Sequence, residues 1–467
     1  MKGKSVDFSN MKDIRIWILL FFLIRLIGIT NPPLEKGHNW RQSLTCMITR
    51  NFVEGGPDLL YPRIDMAGDQ TGIIGSEFPF FNYLCYLCSK AFGYTHWYGR
   101  LINLLISSAG IFCFFLLSKK IIGDRAAGYA GILLLTSIWF AFSRKSMPDT
   151  FSISLVLIGL HFCSVYYSSG KVWHLLLYFI FTTLGTLCKL PAILWLVPVI
   201  ATLVIPAFPK QNRLYTGFAT VISMIITGGW YFIWVPHLVE TYHYQLYFPK
   251  SLGEGLHEIA GEVPGLLKNF YFNAFSSYLA FACFAAGIYV FIRKYSDYIL
   301  KTTAAITVVF FLFILKTGAV FPLHNYYIIP FVPVMAIIAA VFLDAIRFKV
   351  ALLILIAASA EGILNQQHDF FIKQDQVYKL SLETLLDKNT SKNELIIING
   401  GQNPQLMYMA HRKGWSVDND VIGNQSKIKE MQSKGATVLV VDKTEGVTEP
   451  NDYHLIGSDE HFCVYRL

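Results

Sequence analysis

The sequence predicts an α-helical polytopic membrane protein with about eleven transmembrane helices and a small C-terminal α/β soluble domain. Three observations predict this class. Hydrophobic residues make up 54% of the 467 residues, charged residues make up only 15%, and the mean hydropathy is +0.45. Apolar runs of about 20 residues recur along most of the chain. These runs do not alternate as strands do, and a span must satisfy its own backbone, so helices are expected.

The spans follow one another through the first four fifths of the chain. The predicted spans are Ile14–Thr30, Leu101–Leu117, Ala126–Phe142, Phe151–Tyr167, Trp173–Leu187, Ala192–Phe208, Tyr215–Val235, Tyr271–Ile292, Leu300–Leu315, Tyr326–Ala345 and Val350–Gly362. A cleaved signal peptide is not predicted, because Arg25 interrupts the end of a long first run and no small-residue cleavage pattern follows.

The distribution of Lys and Arg predicts the orientation. Basic residues such as Lys119, Lys120, Arg125 and Arg293 fall in alternate short loops, together with those before the first span. The positive-inside rule therefore predicts a cytoplasmic N-terminus and, with an odd number of spans, an extracytoplasmic tail. The net charge of +8 is then explained by cytoplasmic anchoring and contact with anionic membrane lipid, and no nucleic-acid partner is expected.

The last hundred residues change in character. Residues 394–399 and 436–442 are short apolar runs typical of buried strands, and residues 380–386 and 427–434 have helical patterns. We expect residues 1–365 to form the transmembrane domain, which includes a first outer loop at 31–98, and residues 369–467 to form an extracytoplasmic α/β accessory domain. This domain could act as a lid or, alternatively, dock a substrate.

The first outer loop carries the richest chemistry. Residues 43–54 and 80–92 have the apolar spacing of helices that lie in the membrane interface. Acidic residues and arginines stand around them among aromatics and glycines. Charges at a bilayer boundary are costly unless they serve a function. All the other polar tracts, including 144–149, 189–191 and 324–330, fall on the same predicted outer side. This sidedness predicts an active-site face outside the cytoplasm.

These tracts carry a resemblance to a known superfamily. The run from Pro33 to Arg100, which contains Trp40-Arg-Gln and Glu77-Phe-Pro, is followed in order by Ser143–Thr150, Cys188–Ala192 and His324–Pro330. Together they resemble the C-type membrane glycosyltransferase superfamily, and within it the bacterial proteins similar to protein O-mannosyltransferases, which are related to dolichyl-phosphate-mannose mannosyltransferases, and to the aminoarabinose transferase. The resemblance spans roughly residues 11–362 and does not specify a substrate.

The resemblance implies an enzyme of the bacterial cytoplasmic (inner) membrane. It would move a sugar from a polyprenyl-phosphate-linked donor to a lipid, glycan or protein acceptor of the cell envelope, outside the cytoplasm. The displacement would be inverting and assisted by a general base. Such a reaction needs a carboxylate that takes the proton of the acceptor hydroxyl and cations that hold the departing phosphate. It also needs an apolar groove for the polyprenyl tail.

Three carboxylates are candidates for the base. In better-known relatives the acid stands at the start of the first interfacial helix, where this chain has Arg41-Gln42. Glu77 is the preferred substitute, because it precedes the second interfacial helix, where a carboxylate suits the helix dipole. Asp65 and Glu35 are the alternatives.

Cations and neighbouring polar groups are candidates for binding the donor phosphate or sugar. They are His38, Arg41, Arg63, Arg144, Asp149, Lys189, His324 and Tyr326. Arg can grip phosphate in a bidentate manner, whereas Lys acts as a point charge. Plainer readings stay open: Asp149 could be a helix N-cap, Lys189 could snorkel to the interface, and Tyr326 could belong to an aromatic belt.

No cofactor is expected. A divalent metal is possible but not favoured, since the chain has no Asp-x-Asp pair in the outer loop and Cys85-x-x-Cys88 has no second ligand pair. Two alternatives to a single-sugar transferase remain. One is a transporter or flippase of lipid-linked sugars, which would carry charges in mid-span, and the other is an oligosaccharide polymerase or ligase on the same scaffold.

Overall fold

The computed structural model describes residues 13–203, 209–244, 246, 249–446 and 452–467, which divide into two compact units. Unit 1 contains the described residues of Met1–Ile29, Arg100–Tyr231 and Tyr247–Phe370. Unit 2 contains those of Thr30–Gly99, Phe232–Leu246 and Phe371–Leu467. Unit 1 is helical, whereas unit 2 combines helices with a five-stranded sheet. The predicted class, a helical membrane protein with a small C-terminal α/β part, is confirmed.

The α-helices of the described residues are α1 (Ile14–Arg25), α2 (Asn39–Gly55), α3 (Phe80–Phe92), α4 (Tyr98–Ile122), α5 (Asp124–Thr136), α6 (Trp139–Phe142), α7 (Pro148–Ser169), α8 (Val172–Cys188), α9 (Val197–Thr202), α10 (Lys210–Gly229), α11 (Val235–Tyr242), α12 (Leu252–Gly261), α13 (Val263–Lys268), α14 (Tyr278–Lys294), α15 (Asp297–Thr317), α16 (Val320–Leu323), α17 (Val332–Ala345), α18 (Phe348–Gln366), α19 (Leu382–Asn389), α20 (Pro404–Ala410), α21 (Asn419–Ile422) and α22 (Gln425–Ser433). Short 3-10 helices lie at Leu190–Leu196, Asn325–Ile328, Gln367–Phe370, Gln374–Ser381 and Lys443–Glu445, and π-helical turns at Trp230–Trp234 and Asn269–Asn273.

Within the described residues, five helices are long and apolar enough to cross a membrane. They are Tyr98–Ile122, Pro148–Ser169, Lys210–Tyr242, Asp297–Thr317 and Phe348–Phe370. A sixth span would be the pair Val263–Asn273 and Tyr278–Lys294, which is bent by 94°. Each of the six contains or overlaps one predicted span. The other predicted spans correspond to shorter or broken helices, and residues 204–208 of one of them lie outside the described residues. The count of eleven therefore stays a prediction.

One predicted span is broken for a reason visible in its hydrogen bonds. The helix expected over residues 126–142 ends at Thr136 and resumes as α6 at Trp139. The buried side chain of Gln366 donates from Nε2 to the carbonyls of Thr136 (3.1 Å) and Ser137 (3.0 Å), and its Oε1 accepts from the amide of Ala141 (3.2 Å). In an apolar environment no water is present to form hydrogen bonds with unpaired backbone groups. The side-chain amide of Gln366 forms these bonds instead and so stabilises the break.

The first outer loop and the tail share a hydrophobic core within unit 2. Leu44, Met47 and Ile48 of α2 are buried in the same cluster as Met407 of α20 and Val438 of the sheet. Helix α2 therefore has its apolar side covered by C-terminal residues. Hydropathy places a domain boundary near residues 365–369, which stays a prediction, but the contacts group the loop at 31–98 with the tail.

The sheet of unit 2 has the strand order β2-β1-β3-β5-β4. The strands are β1 (Leu395–Ile398), β2 (Gly414–Ser416), β3 (Ala436–Asp442), β4 (His454–Ser458) and β5 (Phe462–Arg466). β1 pairs in parallel with β2 and β3, whereas β5 pairs antiparallel with β3 and β4. The two strands predicted from the sequence, β1 and β3, are buried inner strands of the sheet, as is β5, which was not predicted.

Gly287 of α14 should be intolerant of a side chain. A Cβ at Gly287 would lie 2.2 Å from the carbonyl oxygen of Ile338 on α17, whereas a Cβ at Gly128 of α5 would meet nothing within 4 Å. We expect Gly287→Ala to destabilise the protein by about 1–3 kcal/mol through overpacking. Gly128→Ala, the matched control, should be neutral or stabilising because Ala favours a helix. Thermal unfolding in detergent measures both, and equal behaviour of the two variants would contradict close α14–α17 packing.

Candidate active site

Glu77 and Arg41 form an ion pair in unit 2. Arg41 Nη2 lies 2.5 Å from Glu77 Oε1, and the side chains keep 18% and 24% of their surface exposed. Arg41 is in the first turn of α2, and Glu77 lies three residues before α3 begins. The two helices are fastened to each other because Asn82 donates from Nδ2 to the carbonyl of Thr45 (2.7 Å). The structure thus joins the preferred base candidate to a phosphate candidate at an accessible position.

His38 stands immediately before α2 in a left-handed backbone conformation, with φ 55° and ψ 37°. This region is uncommon for residues other than glycine, and residues held in it cluster at functional sites. The carbonyl of His38 accepts a hydrogen bond from the amide of Gln42 (3.2 Å). The half-buried imidazole therefore sits at the start of the helix that carries Arg41.

Glu35 is fully buried. Its Oε2 accepts a hydrogen bond from Nε2 of Gln42 (3.2 Å), which is also fully buried. The backbone of Glu35 forms an isolated antiparallel bridge with Ile372. Glu35 is thus part of the packed interior that precedes α2.

Asp65 is also buried, with 6% of its surface exposed. Its Oδ2 lies 3.0 Å from Nη2 of Arg50, and its Oδ1 accepts from Nδ2 of Asn51 (2.8 Å). Arg50 donates further to the carbonyl of Tyr408 (2.8 Å) and lies 4.5 Å from the centre of its ring. A buried carboxylate that is paired and hydrogen-bonded in this way stabilises the fold, because removing either partner leaves a charge unpaired.

Arg63, by contrast, lies exposed on a turn of the outer loop. The turn is held by hydrogen bonds from the amide of Ile64 to the carbonyl of Gly72 (2.9 Å) and from the amide of Ile74 to that of Pro62 (3.0 Å). Gly72 has a φ of +74°, and a Cβ there would lie 2.2 Å from the carbonyl oxygen of Ile64, so glycine is required. The exposed guanidinium is not brought to any other candidate within the described part of unit 2.

In unit 1, Asp149 and Lys189 form a buried pair. Lys189 Nζ lies 3.2 Å from Asp149 Oδ1, and the residues are 8% and 4% exposed, respectively. The other carboxylate oxygen, Oδ2 of Asp149, is buried and has no hydrogen-bond partner among the described residues. Asp149 belongs to the first turn of α7, whose N-cap is Met147, so it is not the N-cap residue. Leaving a buried carboxylate oxygen without a partner is costly, which makes this oxygen a candidate for accepting a hydrogen bond from a ligand.

Aromatic residues surround this lysine. Its ammonium lies 5.5 Å from the ring centre of Tyr326 and 5.7 Å from that of Tyr327. His324 stacks on Tyr326 with ring centres 5.2 Å apart. The chain reaches Lys189 in an extended conformation at the end of α8, two residues before Pro191 prevents a regular continuation. Four predicted candidates, Asp149, Lys189, Tyr326 and His324, are therefore gathered in one cluster.

The turn before α7 is held by Asn103 of α4. Its Nδ2 lies within hydrogen-bonding distance of the carbonyls of Phe142 (2.9 Å), Lys145 (2.9 Å) and Met147 (3.1 Å). This amide fixes the chain that leads to Asp149.

Arg144, in the same turn, is fully buried. It donates to the carbonyls of Arg25 (3.1 Å), Ile27 (2.8 Å) and Asp369 (3.3 Å), and its guanidinium lies 4.1 Å from the ring centre of Phe370. These contacts satisfy carbonyls at the ends of α1 and of the helical stretch after α18. The contacts of Arg144 are therefore typical of a residue that stabilises the fold rather than of one that binds a phosphate.

Sequence reasoning missed several partners that give the candidates their environment. Arg50 was not matched to Asp65, Gln42 was not matched to Glu35, and Lys145 pairs with Asp369 at 3.0 Å in unit 1. In each case the sequence shows a charged residue within an apolar, aromatic tract. This pattern indicates that the charge needs a partner, but it does not identify which residue the partner is. Within the residues that the structure describes, no three His, Cys, Asp or Glu side chains converge to hold a metal ion.

His411, at the end of α20, joins two carboxylates of unit 2. Its Nδ1 lies 2.5 Å from Oε1 of Glu383, and its Nε2 lies 2.5 Å from Oε1 of Glu54 at the end of α2. Both ring nitrogens donate only when the imidazole is protonated. The hydrogen bonds that His411 donates to Glu383 and Glu54 raise its pKa above the ordinary value of 6.5. The bond from His411 lowers the pKa of Glu383 to about 2. Partial burial raises the pKa of Glu54, but the bond from His411 and the positive charges of His411, Arg50 and Lys413 together lower it below its ordinary value.

Comparison with known proteins supports the predicted superfamily. The sequence profile of the family described as dolichyl-phosphate-mannose-protein mannosyltransferase matches residues 76–231, a stretch that contains Glu77, Asp149 and Lys189. The match covers about a third of the chain. No curated protein sequence matches the chain significantly.

Solved structures match over nearly the whole chain. ArnT from Cupriavidus metallidurans bound to undecaprenyl phosphate has a TM-score of 0.64 and 13% identity, with 96% of this chain and 98% of that chain covered. The same protein in the apo state has a TM-score of 0.66 and 14% identity, with 97% and 98% covered. The archaeal oligosaccharyltransferase AglB from Archaeoglobus fulgidus, in complex with an inhibitory peptide and a dolichol-phosphate, has a TM-score of 0.60 and 13% identity, with 92% and 70% covered.

At such identities the likeness is one of fold. The fold is that of the C-type membrane glycosyltransferases, as the sequence predicted. The fold matches and the family profile together support a glycosyltransferase.

The His411 link should make stability depend on pH. His411 has a raised pKa, so its contribution is complete below pH 6.5 and is lost as the pH rises through the folded-state value. Glu383 has a lowered pKa, so its contribution is complete above pH 4.5 and is lost as the pH falls towards about 2. We expect His411→Asn, which keeps a residue suited to the left-handed backbone (φ 50°), to reduce the fall in unfolding temperature that begins as the pH rises above 6.5.

The matched control is His454→Asn, since His454 is exposed on β4. It should keep the pH dependence of the wild-type protein. If the unfolding temperature of His411→Asn falls with rising pH as steeply as that of the wild-type protein, a group other than His411 causes the pH dependence.

Proposed function

We propose that this protein transfers a sugar from a polyprenyl-phosphate-linked donor to an acceptor hydroxyl outside the cytoplasm, with inversion at the anomeric carbon. In this reaction the acceptor oxygen bonds to the anomeric carbon as the carbon–oxygen bond to phosphate breaks. The polyprenyl phosphate leaves with the bonding electrons, and the acceptor proton passes to a carboxylate. The location that we propose is the bacterial cytoplasmic membrane, with a cytoplasmic N-terminus.

The observation that carries the assignment of the base is a difference in accessibility among three carboxylates. Glu35 is fully buried and Asp65 is 6% exposed, and both accept hydrogen bonds from buried side chains. Glu77 keeps 24% of its side chain exposed and is held by Arg41 at 2.5 Å. A general base must reach the proton that it removes, so we propose Glu77 as the base and Arg41 as the group that orients it.

The Asp149–Lys189 pair is proposed to bind the donor. A lysine ammonium can compensate the charge of a phosphate as a point charge. The open Oδ2 of Asp149 is suited to accept a hydrogen bond from a hydroxyl or amino group of the sugar. Tyr326 and His324 complete the polar and aromatic lining of this cluster. His38 and Arg63 stay candidates for substrate contacts, whereas the bonds of Arg144 to backbone carbonyls favour a structural role.

We propose that the reaction needs no metal ion or other cofactor. The acceptor is proposed to be a lipid, glycan or protein. An oligosaccharide polymerase or ligase would use the same chemistry on the same scaffold, and the size of the sugar that is transferred separates it from a single-sugar transferase.

Glu77→Gln should lower kcat by about 10²- to 10⁴-fold, because the amide cannot accept the acceptor proton. KM for the donor should change little. The measurement is transfer by the purified protein from a panel of polyprenyl-phosphate sugars. Glu240→Gln on α11 is the matched control, since Glu240 is exposed in unit 2, and it should leave kcat unchanged. If Glu77→Gln is active while a correctly folded Asp65→Asn or Glu35→Gln variant is inactive, Glu77 is not the base.

Lys189→Met should weaken donor binding by roughly 10- to 100-fold, the usual effect of losing a charge-assisted hydrogen bond. Asp149→Asn should also raise KM for the donor, since an amide has only one oxygen and cannot replace both carboxylate oxygens as hydrogen-bond acceptors for Lys189 and the sugar. Lys301→Met is the control, because the Lys301 side chain is 79% exposed. Donor affinity measured by titration decides the matter. Wild-type affinity in folded Lys189→Met would remove this lysine from the donor site.

A further inference from the structure

The segment that leads into α2 is held by C-terminal residues of unit 2. The amide of Lys373 donates to the carbonyl of Leu34 (2.8 Å), and the amide of Lys36 donates to the carbonyl of Phe371 (3.1 Å). Between them, Glu35 and Ile372 form an antiparallel bridge. Two stretches of chain that lie more than 300 residues apart in sequence therefore pair as short strands just before α2 begins.

A buried side chain of the α/β domain reinforces this pairing. Gln405, in the first turn of α20, is fully buried and donates from Nε2 to the carbonyl of Pro33 (3.0 Å). Its Oε1 accepts from Nζ of Lys379 (3.0 Å), which is 6% exposed. The backbone of Gln405 is fixed in turn, because its amide donates to the N-cap side chain of Asn403 (3.0 Å). Any other rotamer of Gln405 would leave buried polar groups unsatisfied, so its position is well defined.

The same short helix, α20, also reaches the other end of α2. Arg50 donates to the carbonyl of Tyr408 (2.8 Å), and His411, directly after α20, bonds to Glu54 (2.5 Å). Helix α2 thus has one attachment before its first residue and two in its last two turns, and all three come from α20 or from the residue that follows it. The segment that precedes α2 and the last two turns of α2 are therefore both held by α20 and His411, which limits any shift of α2 relative to them.

We propose that the C-terminal α/β domain positions α2, and with it the Arg41–Glu77 pair, and that Gln405 is a positioning residue for transfer. Arg41 lies in the first turn of α2, so a shift of this helix would displace the Arg41–Glu77 pair. The expected effect on the transfer rate therefore rests on the proposed function. A misplacement of about 1 Å at a reacting group can cost on the order of 10²-fold in rate. The domain then acts as a fixed support of the outer loop rather than as a lid or a separate docking module.

The test compares Gln405→Met, which removes the donor to Pro33, with Gln432→Met, the same substitution at an exposed position of α22. Transfer kinetics and hydrogen–deuterium exchange of the full-length protein are the measurements. We expect Gln405→Met to lower kcat by roughly 10- to 100-fold, to leave KM for the donor within about twofold, and to speed exchange at the amides of Lys36 and Lys373. Gln432→Met should match the wild type in all three.

Gln405→Glu is the second variant and decides the matter if Gln405→Met does not fold. Its carboxylate still accepts from Lys379 but cannot donate to Pro33, so the same split of kcat from KM is expected. Wild-type kcat together with wild-type exchange at Lys36 would overturn the proposal, and so would a rise in KM with kcat unchanged.

Failure of the proposed function is separately visible. If the wild-type protein consumes no polyprenyl-phosphate sugar, the proposed reaction is wrong. The exchange rates at Lys36 and Lys373 still decide whether Gln405 holds the segment before α2, because they need no substrate.

Discussion

Unit 1 depends on buried side chains that complete the hydrogen bonding of broken helices. Apolar surroundings give an open carbonyl or amide no water to bond with, so each break needs a partner from the chain itself. Gln366 serves the break between α5 and α6, and Asn103 serves the turn before α7. Arg144 does the same for carbonyls at the ends of α1 and beyond α18. Asp149 stands next to these turns, which places this candidate carboxylate on a rigid support.

The same requirement separates structural charges from candidate functional ones. Arg50 and Asp65 are buried and satisfied by each other and by neighbouring groups, so their contribution is to the stability of unit 2. Asp149 differs because one of its buried oxygens lacks a partner among the described residues. Glu77 differs because it remains accessible. Burial, pairing and exposure together sort residues that look alike as isolated charges in a sequence.

Much of the fold could be predicted, and the misses have physical causes. The second interfacial helix was predicted at 80–92, and α3 covers Phe80–Phe92, because its apolar spacing and the following glycine mark both ends. β1 is fully apolar, and β3 is apolar apart from Thr437 and its last residue, Asp442, so both stand out. β2 has three residues and β4 is largely exposed at the edge of the sheet, so neither leaves a clear pattern. The break in the predicted span at 126–142 was invisible because Gln366 lies more than 200 residues further along the chain.

The sequence by itself determined the helical membrane class, the α/β character of the tail and the chemical types present in the outer tracts, because hydropathy and residue type are local properties. Only the tertiary structure decided which polar groups meet. Arg41 and Glu77 are 36 residues apart in the chain, and Gln405 and Pro33 are 372 apart. No local pattern encodes such pairs, since they form only when packing of the apolar core brings distant backbone segments to within hydrogen-bonding distance.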